Sequence, residues 1–317
     1  MLYGLNRLLP LFLGNREPVL SILIYHQVLE KPDYLRPGEP TVRQFDWQMQ
    51  LLKTYFTPLS LTQALQLLDE QRLPSNAVCV TFDDGYADNY TLALPILKKW
   101  AIPATVFVAS GYLNGGRMWN DTLIEAIRST QSGQWDGGFI GLGPLDLSTA
   151  AARKQTLNTL ITLIKHLPGH ERQAATGHIA SISDVLPDDL MMTDEQLKAL
   201  CAQGVEVGAH TVTHPVLTTV SLETARDEIM ASKTRLESIT GSPVTHFAYP
   251  NGHYGDDYNE SHVSLVRKLG FSSAVTTDWG VSSRATDRFQ LARFTPWDRT
   301  PLRFYSRLLL NTSNVKS

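Results

Sequence analysis

The chain is poor in several features that mark whole classes of protein. It holds only two cysteines, Cys79 and Cys201, in 317 residues. Two distant cysteines make neither a disulfide framework nor a cysteine-based metal site. Cys79 lies within a β-branched run, where a cysteine acts as a small hydrophobe; this usage fits a reducing, cytoplasmic compartment. No apolar run approaches the roughly 18 residues that span a bilayer. The apolar stretch at residues 8–14 is too short for a signal core, contains Pro10 and lacks a small-residue cleavage site. It reads as a docking segment of the fold. Basic runs are also missing and the net charge is −3, which argues against a nucleic-acid partner. Repeats and low-complexity tracts are absent.

What is present is a well-supplied core, with 43% hydrophobic and 19% charged residues. That balance excludes disorder. Strand-like runs fall at residues 19–25, 57–59, 77–82, 104–109, 205–209, 244–249, 272–276 and 289–294, with helical patterns between most of them. Thr41 with Gln44, and Ser60 with Gln63, read as capping boxes. Residues 88–100 read as a helix kinked by Pro95, and residues 221–239 as an amphipathic helix stopped by Gly241 and Pro243. Such alternation predicts a mainly parallel sheet with helices outside it. The expected fold is α/β, a distorted (β/α) barrel of about seven to eight mainly parallel strands. A single domain over 1–317 is expected, with a helical insertion at 111–200 and no strand between 111 and 193. The insertion reads either as a lid or groove wall, or as packing on the barrel flank.

The chemistry gathers at strand ends. Val78-Cys79-Val80-Thr81-Phe82-Asp83-Asp84-Gly85 is an apolar strand running into two adjacent carboxylates, which repel unless a cation or shared proton relieves them. Taken alone, a solvated turn explains Asp-Asp-Gly equally well. Val205-Glu206-Val207-Gly208-Ala209 leads similarly into His210-Thr211-Val212-Thr213-His214-Pro215. Two histidines four apart share a face only in a helical turn, and Pro215 confines that to a short loop. Two histidines with one carboxylate leave positions open for water and substrate on a bound metal. The alternative is two unrelated surface histidines. His26 follows the first strand, and barrel active sites collect at such ends. Trp119 offers an indole that would stack on a sugar, or simply fill the core. Arg299, Arg303 and Arg307 share one face near the C-terminus, fit either for an anionic membrane or polymer or for plain solvation.

Together, Thr81-Phe82-Asp83-Asp84-Gly85 and His210-Thr211-Val212-Thr213-His214 resemble the first two motifs of the polysaccharide deacetylases, the NodB-type carbohydrate esterases. Phe247-Ala248-Tyr249-Pro250-Asn251-Gly252 is similar to the third motif. Thr277-Asp278-Trp279-Gly280 and Leu291-Ala292-Arg293 are similar, more loosely, to the last two. The resemblance implies an irregular barrel and a metal-dependent hydrolase that deacetylates an N- or O-acetylated glycan through a metal-activated water. It implies Asp84, His210 and His214 as ligands of a divalent metal, most plausibly zinc, with Asp83 as general base. Tyr249, Pro250 and Asn251 would form the substrate and oxyanion loop. Two positions depart from the family pattern: Ala248 stands where an arginine is usual, and Arg293 where a histidine acid is usual. Arg293 is therefore expected beside Asp83, and His26 is expected as the acid; the Tyr25-His26 pair resembles the poly-N-acetylglucosamine deacetylase branch. His253 is a reserve candidate. His246 reads as structural, and His166, His170, His178 and His262 as surface residues. Two other readings stay open: a carbon–nitrogen hydrolase of a small cyclic amide, and a carbohydrate-binding pseudoenzyme.

Overall fold

The computed structural model describes residues 17–183 and 185–316; the apolar stretch at 8–14 lies outside them. Eight strands form one sheet: β1 (Ser21–Tyr25), β2 (Thr57–Pro58), β3 (Ala77–Phe82), β4 (Ala104–Val108), β5 (Glu206–Ala209), β6 (His246–Ala248), β7 (Ser273–Trp279) and β8 (Leu291–Arg293). The order is β1-β3-β4-β5-β6-β7-β8, with β2 on the first two residues of β3. Every pairing in it is parallel. The sheet nearly closes at Phe294, which follows β8: its N–H donates to Ile22 O at 2.7 Å and its carbonyl accepts from Ile24 N at 3.1 Å. The result is the distorted (β/α) barrel expected from the alternation.

Ten α-helices accompany it among the described residues: α1 (Val42–Tyr55), α2 (Leu61–Asp69), α3 (Leu94–Trp100), α4 (Trp119–Ser129), α5 (Ala150–Lys165), α6 (Gly169–Ser181), α7 (Asp194–Ala202), α8 (Leu222–Thr240), α9 (Glu260–Lys268) and α10 (Pro301–Asn311). Thr41 and Gln44 cap α1 reciprocally, and Phe45 on its buried face packs against Tyr25 of β1 and Phe82 of β3. Ser60 caps α2 through Gln63 N–H alone, without the reciprocal bond. Pro95 does not kink a continuous α-helix. Residues Asn89–Ala93 form a π-helical turn and Pro95 sits in the first turn of α3, where a missing N–H costs least. Gly241, at φ 67°, ends α8 as expected.

Between β4 and β5 the chain runs through α4, α5, α6 and α7. The Gly- and Pro-rich text at 133–144 contains more than loop: Gln134–Trp135 pairs antiparallel with Leu145–Asp146. Two-residue strands carry no readable period, which is why the sequence showed none. Trp135 and Leu145 help to pack a separate core with Leu123, Ile127, Leu160 and Ile179.

Two surface expectations change. Arg307 is not part of a free cationic face: it donates to Asp298 at 2.5 Å and packs against the rings of Trp279, Phe294 and Trp297. A membrane- or polymer-binding stripe of three arginines therefore does not form. His262 is buried, because it supplies the side chain that closes a capping box with Asn259 at the start of α9. No helix among the described residues is long and apolar enough to cross a membrane.

Candidate active site

The carboxyl ends of β1, β3, β5 and β6 meet around a cavity of about 460 Å³ lined by His26, Asp83, Asp84, Trp119, His210, His214 and Asn251, among others. β3 delivers the carboxylates through a sharp turn. Asp84 sits at φ 74° and Gly85 at φ 91°, and a Cβ at Gly85 would lie 3.0 Å from Val108 Cγ1. Only glycine takes that place without strain. The His210–His214 segment is a loop, as Pro215 required. Glu228 of α8 clamps it by accepting from Val212 N, Thr213 N and Thr213 Oγ1, each at 2.8 Å.

Asp84, His210 and His214 converge. Asp84 Oδ1 lies 3.6 Å from His210 Nε2 and 3.6 Å from His214 Nε2, and the two Nε2 atoms are 3.1 Å apart. Ligand atoms about 2.1 Å from one tetrahedral ion sit about 3.4 Å from each other, so these spacings fit a metal. Among the described residues Asp84 Oδ1 is buried with no hydrogen-bond partner, a costly state that a cation relieves. His210 Nδ1 lies 2.7 Å from the Ala248 carbonyl. A carbonyl only accepts, so Nδ1 carries the proton and Nε2 presents its lone pair to the shared space. Burial, more than any neighbour, lowers the pKa of both imidazoles, leaving them in the neutral form a metal needs. Burial first, then the Asp83 charge, pushes Asp84 up to about 7. The donor set therefore suits a divalent cation.

Asp83 faces the opposite balance. Burial would raise its pKa, but Arg293, together with His210 and His26, brings it down to about 2. Arg293 reaches it because β7 bulges against β8: Leu291 pairs with Val275, and Arg293 with Trp279. The guanidinium donates Nε to Thr276 O at 2.6 Å and both Nη groups to Asp83, each at 2.7 Å. His26 is partly exposed in the same cavity. Burial lowers its pKa, but the charges of Asp84, Glu39 and Asp83 more than offset this and leave it raised.

Other sequence-derived residues divide. Trp119, at the start of α4, and Asn251, at φ 61°, line the cavity. Tyr249 does not: strand alternation puts it on the face of Phe247, where it stacks on Tyr258 at 3.8 Å in the core. Pro250 is buried, and its carbonyl accepts from Gly252 N at 2.7 Å; it shapes the loop without lining the cavity. His246 is structural, bonded at both ring nitrogens to Thr62 and Ser273. His253 lines the cavity rim beside Asp278. Sequence reasoning missed Glu39, Thr277 and Lys165, which also line it. Glu39 comes from a loop and Lys165 from the end of α5, neither with a motif, and Thr277 from β7, at the head of a loosely matched segment that gave it no role. Thr277 Oγ1 donates to Asn251 O at 2.5 Å and so braces that loop.

Comparison with known proteins follows the same outline. The sequence profile described as Polysaccharide deacetylase matches residues 70–136 and 154–274, more than half of the chain. YxkH of Bacillus subtilis (strain 168), which carries a polysaccharide deacetylase name, is 22% identical over 275 residues, covering 86% of this chain and 70% of that protein. Poly-beta-1,6-N-acetyl-D-glucosamine N-deacetylase of Staphylococcus aureus (strain MRSA252) is 27% identical over 169 residues, 52% of this chain and 58% of that protein. Among solved structures, the Streptococcus pyogenes deacetylase PplD in complex with acetate superposes with a TM-score of 0.61 at 21% identity, covering 93% of this chain and 99% of that one. IcaB from Ammonifex degensii gives 0.59 at 22%, covering 92% and 96%. These structural likenesses establish the fold.

Proposed function

The chain belongs to the polysaccharide deacetylase family, hydrolases of carbon–nitrogen bonds in acetylated sugars, and we propose that it removes acetyl groups from an N-acetylated glycan. The observation that carries this reading is the unpartnered, buried Asp84 Oδ1 facing two imidazole Nε2 atoms, with a second carboxylate beside it. We assign Asp84, His210 and His214 to a divalent metal, with zinc as the ion best suited to two imidazoles and a carboxylate. Such an ion lowers the pKa of water and polarises the acetyl carbonyl.

The chain's own residues do the rest. Asp83, held ionised by Arg293, orients the attacking water and accepts its proton. His26, whose pKa its carboxylate neighbours raise, donates a proton to the leaving amine nitrogen. The loop at Asn251 presents backbone to the oxyanion side, and Trp119 packs against the sugar. We take residues 111–200 as an insertion that walls the substrate groove, since Trp119 and Lys165 both reach the cavity. Arg293 on Asp83, and His26 in the same cavity, supply groups for the two departures from the family motifs. That favours catalysis over carbohydrate binding alone. The name of the staphylococcal relatives makes an N-acetylglucosamine polymer the first substrate to try. Acetate release from N-acetylglucosamine oligomers by the metal-loaded protein tests the proposal; binding without release would support a pseudoenzyme instead.

A further inference from the structure

A second cavity of about 390 Å³ shares Trp119 with the candidate active site. Arg117 after β4, Trp119 of α4, Arg172 of α6, and Thr213 from the loop that carries His214 line it. Trp119 lines both cavities, so one sugar chain can occupy both.

Arg172 is the unusual member. It is only 6% exposed, and a buried guanidinium is ordinarily paired with an anion. Among the described residues Arg172 has no such pair. Its one side-chain hydrogen bond runs from Nη2 to Thr213 O at 3.3 Å, and its guanidinium lies 5.6 Å from the centre of the Trp119 ring. Glu228, whose charge it feels, gives both oxygens to the Val212–Thr213 segment. Burial dominates, and the pKa of Arg172 falls below the ordinary arginine value despite Glu228 and Tyr112. Among the described residues Arg117 is a second cation without a carboxylate pair: Nη1 donates to Pro187 O, while Nε is buried with no hydrogen-bond partner. Neutral hydroxyls would satisfy the donors of Arg172 yet leave its charge unbalanced. An oxyanion satisfies both, and a guanidinium fork matches its geometry.

We propose that this cavity is a subsite for an anionic substituent, a carboxylate or a phosphate ester, on the sugar next to the one being deacetylated. The proposal rests on the deacetylase reading given above.

The test compares kcat/KM on the metal-loaded protein for matched N-acetylated oligosaccharides whose neighbouring sugar is neutral, carries a carboxylate, or carries a phosphate ester. At least one charged substrate should exceed the neutral one by about tenfold or more, the worth of a charge-assisted hydrogen bond. Arg172→Gln should bring that ratio toward one, and Arg172→Lys should restore part of it. A ratio near one in the wild type overturns the subsite and leaves the deacetylase reading standing. So does an equal loss on all three substrates in Arg172→Gln, which marks Arg172 as a mere brace of the Thr213 loop. Calorimetry with glucuronate, and with methyl glucoside as neutral control, gives an arm independent of turnover. Glucuronate binding that Arg172→Gln removes, with no acetate released from any substrate, sustains the subsite and sinks the activity. If Arg172→Gln fails to fold, glucuronate binding to the wild type without methyl glucoside binding supports the subsite, and no preference overturns it.

Discussion

Arg293 donates both Nη groups to the two carboxylate oxygens of Asp83, each at 2.7 Å, across 210 positions of sequence. Both residues are almost wholly buried, at 1% and 2% exposure. The pair ties the last strand of the barrel to the third and sets the charge of the residue that faces the reacting water. A carboxylate held at about 2 stays ionised throughout the working range. It is also a weak base, suited to a water that a metal has already acidified.

Asp83→Asn should lower turnover by about 10²–10⁴-fold with metal content unchanged. It should also destabilise the fold, because it strands a buried guanidinium at a cost of about 3–5 kcal/mol. Urea denaturation measures that loss. The sign with pH follows from the shift. The Asp83 pKa drops from 3.8 to about 2 on folding, so the unfolded chain takes up the proton first as pH falls. The stabilisation is complete above the unfolded value and disappears as pH descends through the folded one. Arg293→Met should flatten this acid limb.

Asp84, His210 and His214 should together hold one divalent ion per chain, measured by elemental analysis after dialysis. Alanine at any of the three should remove the ion. Loss of the ion should also lower the melting temperature, since saturation at 100 times Kd stabilises a protein by about 2.7 kcal/mol.

His26 must be protonated to donate, so kcat/KM should fall as pH rises past its pKa. The Asp84, Glu39 and Asp83 charges raise that pKa. The basic limb should therefore disappear in His26→Ala, with metal content retained. In Glu39→Gln it should shift to lower pH. A limb unmoved by either change assigns the acid elsewhere.

Gly208→Ala tests the barrel interior beneath the site. A Cβ there would stand 2.3 Å from Phe107 Cδ1 and 3.1 Å from His246 O, and Phe107 packs under the Arg293 guanidinium at 5.9 Å. A destabilisation of about 1–3 kcal/mol is expected from overpacking, with a parallel loss of activity as Arg293 is displaced. Wild-type stability and turnover in this variant would show that the layer yields freely.

The sequence revealed most about residues whose position is set by strand periodicity and turn chemistry. Asp83, Asp84, His210 and the barrel itself follow from apolar runs ending in polar residues, and parallel strands carry such ends to one face. Tyr249 was misread because Asn251 of the same motif string lines the site, while the ring of Tyr249 turns toward Phe247 and Tyr258. Glu39 comes from a connection with no periodic signal and Thr277 from β7 in a loosely matched segment, so only the folded chain brings them to the cavity. Arg172 looks in sequence like any arginine of a surface helix. Its isolation from carboxylates depends on packing between the chain around α6 and the His214 loop, which no local pattern encodes.

The most direct measurement is acetate released from N-acetylglucosamine oligomers by the chelated protein before and after one equivalent of divalent metal is restored, with Asp84→Ala in parallel. The account predicts silence in the stripped protein, recovery on adding metal, and no recovery in Asp84→Ala. Equal release with and without metal, or oligomer binding with no release from the loaded wild type, would contradict it.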